Sequence, residues 1–391
     1  MHEVNYLTKP IFEMHEFPEH LAALGHEVGF VQFPEGLTNA KLSETPFNQV
    51  ISGRVLEDAR FALYTPKTIS SGPIGRLVSV LVFASQFKKI LIEFEPDVVV
   101  SFAVPTSGWQ ALWVCKRAGV PFVFRALDVS HKIRKSIFSP LIAMAERFIY
   151  RNADWISANN PALLEYCMGM GANKGRGSVE LPPLDLSHFA TGVSESSQLR
   201  QRYEIPRDAR VTLYMGSFFY FSGLPELIQS FADTRTDGEY LVLVGGGELE
   251  KRLREQVKYL HMKSFVRFTG FVTFEELPAH LHMADVAVNP MRISMVSNAA
   301  FPNKVIQYMA SSLPVISTRL DGLVQTFGDD SELRYVNKSS DVYPAVQDLF
   351  SSKSLVSIGN MNRAAVQDKF SAEQAVRNME TLLQGLIGAG S

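Results

Sequence analysis

Asn289-Pro-Met-Arg-Ile-Ser-Met-Val-Ser-Asn-Ala-Ala-Phe-Pro-Asn-Lys-Val-Ile-Gln-Tyr-Met-Ala-Ser-Ser-Leu-Pro-Val-Ile-Ser-Thr318 reads as the end of a strand, a loop, a helix beginning at Phe301-Pro302 and a second buried strand. In a doubly wound parallel sheet, ligands bind outside the carboxyl ends of the strands. A helix starting there presents free backbone N–H groups and the positive end of its dipole to an anion. Lys304, in the first turn of that helix, adds a mobile positive charge.

Outward from this stretch the same rhythm recurs. Upstream, Val211–Met215, Tyr240–Val244, Phe265–Thr269 and Asp285–Asn289 are short apolar runs, and Pro314–Thr318 follows. They are separated by longer periodic segments at Leu224–Ala232, Glu248–His261, Phe274–His282 and Phe301–Ser311. Short β-branched runs alternating with helical ones signal βαβ units. The first half repeats the pattern: Val4–Leu7, a helix near Met14–Leu24, Glu27–Phe33, Asp97–Phe102, a helix near Ser107–Ala118, Pro121–Arg125 and Asp154–Ala158. Gly25-His26-Glu27 and Ala118-Gly119-Val120-Pro121 read as helix ends leading into strands. Between the halves, Val179–Phe189 and the polar Ser194-Glu-Ser-Ser-Gln198 read as a linker. The expected architecture is α/β, with two Rossmann-like domains facing across a cleft: residues 1–190, residues 191–370, and a closing helix over 371–391 that crosses back to the first domain.

At 391 residues the chain exceeds what one core usually organises, so two domains of roughly 150 to 200 residues are expected. Its 46% apolar and 20% charged composition is that of an ordinary folded protein, and a net charge of −2 gives no basic footprint for nucleic acid. Cys115 and Cys167 have no metal-site spacing and no disulfide framework, so they read as buried thiols in a reducing cytoplasm. The chain opens without a basic region followed by an apolar run. The uncharged stretch from Val98 to Cys115 is broken by Pro105, Thr106, Ser107, Gly108 and Gln110, which favours strand, turn and helix over a membrane span.

Leu213-Tyr-Met-Gly216, Leu241-Val-Leu-Val-Gly-Gly-Gly-Glu248, Val266-Arg-Phe-Thr-Gly-Phe271 and Phe301-Pro-x-Lys-x-x-x-Tyr-Met-Ala310 follow in an order and spacing that resembles the family 4, group 1, retaining glycosyltransferases of GT-B fold. The resemblance implies an acceptor domain first, a nucleotide-sugar donor domain second, and no metal or other cofactor. Carried over by position, Gly216 approaches the donor diphosphate, because only a residue without a side chain lets backbone come so close. Gly270, Phe271 and Val272 meet the nucleobase and Gln307 the ribose, and Ala299, Ala300 and Phe301 belong to the same donor-binding set, Ala299 offering no side-chain acceptor to a sugar ring. The family usually has glutamates at the positions of Ala299 and Gln307, and basic residues where Ser217 and Ser222 stand. The helix dipole, Lys304 and Arg292 then have to offset the diphosphate charge, although Arg292 also reads as a solvated loop cation. Gly245-Gly-Gly-Glu248 lacks the spacing of a phosphate-binding fingerprint and reads as a tight turn, with Glu248 in the first turn of the next helix.

In the first half, Phe122–His131 ends a strand at the expected cleft edge. The family often has a histidine directly before an aspartate here, whereas this chain has Leu127-Asp128 with His131 three residues on. Asp128 and His131 are the catalytic candidates beside Lys304. The plain alternative for Asp128 is helix capping or an ion pair with Arg125. Lys9 and His15 take the acceptor side, where relatives carry glycines. His20, His26, His188, His261, His280 and His282 read as surface or packing residues, without metal-site spacing.

Arg76–Phe94 joins an apolar face to Lys88-Lys89, and Lys132, Arg134, Lys135, Arg147 and Arg151 crowd another segment. Both are compatible with a core helix edged by solvated cations, or with peripheral contact to a membrane carrying a glycolipid acceptor. The resulting expectation is a cytoplasmic transferase moving a sugar from a nucleoside diphosphate to a saccharide or lipid-linked glycan. A non-catalytic sugar-nucleotide or glycan binding subunit is the alternative. A GT-B-like epimerase fits less well, since the acidic and histidine cluster it needs is missing.

Overall fold

Parallel strands built from those apolar runs organise the chain, which the computed structural model describes over residues 1–2, 5–9, 11–32, 46–67, 72–103, 105–133, 139–352 and 354–388, with side chains undescribed at 72–81, 105–106 and 133. Two compact units result, residues 1–183 with 373–391, and residues 184–372.

In the first unit, β1 (Gly29–Val31), β2 (Asn48–Ser52) and β3 (Arg60–Tyr64) pair in the order β1-β3-β2, with β2 antiparallel to β3. β4 (Val99–Phe102), β5 (Phe122–Ala126), β6 (Trp155–Ala158) and β7 (Gly177–Val179) form a parallel sheet in chain order. The helices are α1 (Glu13–Ala23), α2 (Gly72–Phe94), α3 (Pro105–Ala118), α4 (Ser130–Ile133), α5 (Ser139–Asn152) and α6 (Pro161–Gly169).

In the second unit, α7 (Val193–Arg202) leads into β8 (Arg210–Met215), α8 (Leu224–Thr234), β9 (Glu239–Val244), α9 (Glu250–Tyr259), β10 (Val266–Gly270), α10 (Leu277–His282) and β11 (Val286–Asn289). There follow α11 (Met295–Ala299), α12 (Lys304–Ala310), β12 (Val315–Thr318), α13 (Asp321–Phe327), β13 (Arg334–Val336), α14 (Val342–Ser351) and α15 (Leu355–Phe370). The strands form one six-stranded sheet in the order β10-β9-β8-β11-β12-β13, every pairing parallel. Because the order reverses between β8 and β11, the two connections leave in opposite directions and a crevice opens at their carboxyl ends. Leu213, Leu243, Val288 and Ile316 of the central strands are fully buried beneath the flanking helices. Each such side chain contributes about 2 kcal/mol.

The chain then returns: Ala375, Val376, Met379 and Leu383 of α16 (Ala372–Gly388) pack with Tyr6, Met14, Phe17 and Phe30 in the core of the first unit. Its charged centre is Arg125 on β5, fully buried, whose Nε donates to Glu13 Oε2 at 3.0 Å and whose Nη1 donates to Ser157 Oγ at 2.9 Å and the Glu180 carbonyl at 2.7 Å.

Several expectations change. Residues 6–8 form a turn rather than part of a strand, and Val4 lies outside the described residues. Ser194–Gln198 is not linker but part of α7, which packs on α10; its polarity marks a solvated outer face. The antiparallel β2 escaped the sequence reading because its burial alternates between exposed and half-buried positions, and only pairing to β3 holds it. Arg134 and Lys135 lie outside the described residues, as does the side chain of Arg76.

Candidate functional site

The reversal point of the six-stranded sheet is where three glycine turns meet. The Gly216 N–H donates to the Val244 carbonyl at 2.9 Å, the Gly245 N–H to the Gly270 carbonyl at 2.8 Å, and the Phe218 N–H to the Gly246 carbonyl at 2.9 Å. This knits the carboxyl ends of β8, β9 and β10 into one backbone surface. Gly216 and Gly245 have φ of +130° and +121°, and a Cβ on Gly245 would lie 2.2 Å from the Gly216 oxygen. A side chain at Gly245 would displace the Gly216 backbone, and one at Gly216 would crowd the Lys304 ammonium at 3.1 Å. Glu248 sits in the turn ahead of α9 rather than in its first helical turn, and its carboxylate accepts the Tyr220 N–H at 3.0 Å, tethering the loop after β8.

Lys304 covers this surface. α12 begins at Lys304, not at Phe301-Pro302, and the Phe301 ring is buried in a stack with Phe327 and Phe370 at centroid distances of 6.4 and 5.6 Å. The Phe301 ring is therefore committed to this aromatic stack. Lys304 is half-buried and held, which corrects its reading as a mobile charge. Its Nζ donates to the Tyr214 hydroxyl at 3.0 Å, lies 4.2 Å from the centre of that ring, and would stand 3.1 Å from a Cβ on Gly216. Among the described residues no carboxylate pairs with it. Desolvation lowers its pKa from 10.5 to about 7, as expected for an ammonium with little water and no counter-ion.

The other donor-side candidates divide. Gln307, half-buried, has a side-chain amide with no hydrogen-bond partner among the described residues, and Ala299 is buried while Ala300 is half-buried. Ser222 is buried to 1% exposure with an unpartnered Oγ, and Asn289 Oδ1 at the end of β11 is likewise buried and unpartnered. Ser217 is exposed, and its carbonyl accepts the Tyr214 hydroxyl at 3.0 Å. Phe271 is 73% exposed beside half-buried Val272, at the end of β10. Arg292 is not a free loop cation: its guanidinium pairs with Glu226 at 2.7 Å and donates to the Tyr220 carbonyl at 2.8 Å.

In the first unit, Asp128 follows β5 and accepts the Ser130 hydroxyl at 2.9 Å; it makes no pair with Arg125, which Glu13 occupies. Burial pushes its carboxyl up to about 6, the Ser130 hydroxyl opposing and the nearby Glu146 charge adding to the rise. His131 Nδ1 lies 2.5 Å from Glu146 Oε2 and 3.4 Å from the Tyr166 hydroxyl, while Glu146 Oε1 accepts the Ser130 N–H at 3.1 Å. The imidazole is thus anchored through one nitrogen, and its Nε2 has no hydrogen-bond partner among the described residues. His15, expected on the acceptor side, is fully buried: its Nδ1 accepts the Phe12 N–H at 3.3 Å and its Nε2 donates to the Tyr6 carbonyl at 3.0 Å, so it holds α1 to the preceding turn. Lys9 is half-buried, its carbonyl accepting from Arg54 at 2.6 Å. Sequence reasoning missed Glu146, which lies one helix away from His131, and Tyr214, an aromatic in a run that reads only as buried strand.

Among the described residues no cluster of three or more His, Cys, Asp or Glu could hold a metal ion, and no helix is long and apolar enough to cross a membrane. His280 pairs with the Tyr203 hydroxyl at 3.0 Å, His282 with the Phe189 carbonyl at 3.0 Å, and both cysteines are buried free thiols.

Comparison with known proteins gives a consistent match. Residues 209–351 match the model of glycosyl transferases group 1, and residues 14–179 that of the glycosyl transferase 4-like domain. The N-acetyl-alpha-D-glucosaminyl L-malate synthase of Bacillus anthracis is 24% identical over 197 residues, 49% of this chain and 50% of that protein. The lipopolysaccharide core biosynthesis glycosyltransferase LpsE of Rhizobium meliloti is 30% identical over 184 residues, 47% of this chain and 49% of that protein. The chain thus spans about half the length of the curated relatives it matches. In overall fold it is similar to the sucrose-phosphate synthase of Thermosynechococcus elongatus, with a TM-score of 0.79, 20% identity, and coverage of 99% of this chain and 98% of that one.

Proposed function

The chain belongs to the group 1 glycosyl transferases of GT-B fold, and from that premise we propose that it transfers a sugar from a nucleoside diphosphate donor, held in the second unit, to a saccharide or lipid-linked glycan acceptor. The observation that carries this reading is the Lys304 ammonium, desolvated over Gly216 at the reversal point of the sheet and without an anionic partner among the described residues. A cation in that state gains most when a dianionic diphosphate arrives, and gains further as negative charge grows on the leaving phosphate. The glycine turns supply backbone close enough to meet the phosphates. Gln307 offers donor and acceptor atoms to a ribose, and the exposed Phe271 offers a ring face to a nucleobase.

The proposed chemistry is retaining and needs no metal. The acceptor hydroxyl attacks on the face that the nucleotide leaves, and the departing phosphate takes its proton. Asp128 and the anchored His131 serve the sugar or the acceptor from the first unit. Structural neighbours support a uridine nucleotide as the first donor to test, since Anabaena HepE, 15% identical with a TM-score of 0.75 over 98% of both chains, was crystallised with UDP.

The second reading, a non-catalytic sugar-nucleotide binding subunit, draws on two observations: Arg292 is paired with Glu226, and Ala299 offers no side-chain acceptor to a sugar ring. Calorimetric titration with UDP, GDP, ADP and their sugar conjugates, beside a sugar-nucleotide hydrolysis assay on the same preparation, separates the readings. Binding with slow hydrolysis is expected. Binding without any hydrolysis or transfer leaves the binding subunit, and no nucleotide binding at millimolar concentration removes the donor site altogether.

A further inference from the structure

α2, which carries Lys88 and Lys89, and α5, which carries Arg147 and Arg151, are joined in the first unit by a third helix. α3 packs against α2 on one side and α5 on the other. All three turn apolar residues inward: Phe87 and Ile90 from α2, Leu112 and Cys115 from α3, Ile149 and Tyr150 from α5. Several outward positions of α3 and α5 are also apolar, which is unusual for helices covering a sheet. Trp109 and Trp113, one turn apart on α3, are 39% and 44% exposed, and Leu141, Met144 and Phe148, on one stripe of α5, are 61%, 68% and 42% exposed.

The exposed charges among these side chains are nearly all of one sign. Lys88 and Lys89 on α2, Lys116 and Arg117 on α3, and Arg147 and Arg151 on α5 are all exposed. Glu93 is engaged by the Asn48 amide and Glu146 is buried against His131; Lys116 lies 3.7 Å from Asp154 at the far end of its helix. The Arg117 guanidinium stacks 3.5 Å from the centre of the Trp113 ring.

We propose that this three-helix face is a docking surface for an anionic lipid bilayer, entered by the tryptophans, Leu141, Met144 and Phe148, with the cations meeting the headgroups. Indole rings have an apolar body and a polar edge and gather at the interface between headgroup and acyl chain. Lysine and arginine stems lie along an apolar surface while their charges stay with anionic headgroups. A second copy of the chain fits less well, because two copies meeting on this face would oppose like charges around their apolar centres. The inference stands on this surface alone and goes beyond the donor site, although a lipid-linked acceptor would give the docking a use.

The test is sedimentation of the full chain with vesicles of phosphatidylcholine mixed with phosphatidylglycerol, against phosphatidylcholine alone, with tryptophan emission read in parallel and no donor present. Sedimentation with the anionic vesicles, an emission shift to shorter wavelength and weakening as salt rises are expected. A Leu141→Glu, Met144→Glu double variant should lose about tenfold or more in partitioning, with its thermal midpoint and UDP titration matching the parent. The inference is overturned if the parent does not sediment, if the variant sediments equally well, or if the substitutions instead abolish a dimer seen by light scattering. Should neither protein bind any nucleotide, the donor reading fails and the vesicle result still stands or falls by itself.

Discussion

Lys304 Nζ donates to the Tyr214 hydroxyl across 3.0 Å, and that hydroxyl, fully buried, donates in turn to the Ser217 carbonyl at 3.0 Å. The only described oxygen that receives the ammonium is therefore a neutral phenol whose pKa burial raises further. This arrangement fixes where the cation stands while leaving its charge uncompensated, and the first two predictions follow from it.

Replacing Lys304 by Met keeps the stem and removes the charge. A charge-assisted hydrogen bond to phosphate contributes about 1.5–3 kcal/mol, so UDP affinity should fall about tenfold to a hundredfold by calorimetry while the fold is retained. An unchanged dissociation constant would place the diphosphate elsewhere.

The folded pKa of about 7 against an ordinary 10.5 has a definite sign. Between these values the unfolded chain still holds the proton that the folded chain has released, so the unfolded state binds more protons and this residue's contribution to stability rises with pH across that window. Urea unfolding from neutral to alkaline pH should show the rise, and Lys304→Met should lack it. An anionic ligand pulls the pKa back up, so UDP binding at about pH 8 should take up protons, read from calorimetry in buffers of different ionisation enthalpy; no uptake, or release, contradicts the assignment.

Gly245→Ala and Gly119→Ala form a contrast in stability. Both glycines have positive φ, but a Cβ on Gly119 meets nothing within 4 Å, whereas on Gly245 it would strike the Gly216 oxygen at 2.2 Å. The Gly119 change should cost about 1–2 kcal/mol. The Gly245 change should cost about 3 kcal/mol or more, because strain at one turn is transmitted to the next. Equal denaturant midpoints for the two would show that the turns are not packed as described.

Glu146→Gln and His131→Ala probe the pair in the first unit. If His131 acts from the position Glu146 gives it, each change should lower kcat by about a hundredfold, the double variant should lose little more than either single one, and donor affinity should stay the same. Losses that multiply would mean the two residues act independently.

The strand–helix alternation was legible because parallel sheets bury both faces, so their strands appear as short apolar runs between helical periods. Tyr240–Val244 and Asp285–Asn289 stand where that pattern puts them, to within a residue. The glycine turns were legible because backbone that must approach backbone leaves no choice of residue. Less visible were elements whose identity depends on a partner: β2, held by β3, and α7, whose polar sequence resembles a linker until it packs on α10.

By itself, then, the sequence determined which segments become strands, where the turns lie, and which ligand class their glycines and Lys304 suit, since these follow from local sterics and periodicity. What the tertiary structure decided is the state of the side chains: Lys304 held by Tyr214, Arg292 taken by Glu226, His15 buried, His131 anchored by Glu146. It also brought Trp109, Trp113, Leu141, Met144 and Phe148 together on adjacent helices. Charge availability and surface exposure depend on neighbours distant along the chain, and periodicity carries no information about which of those neighbours will arrive.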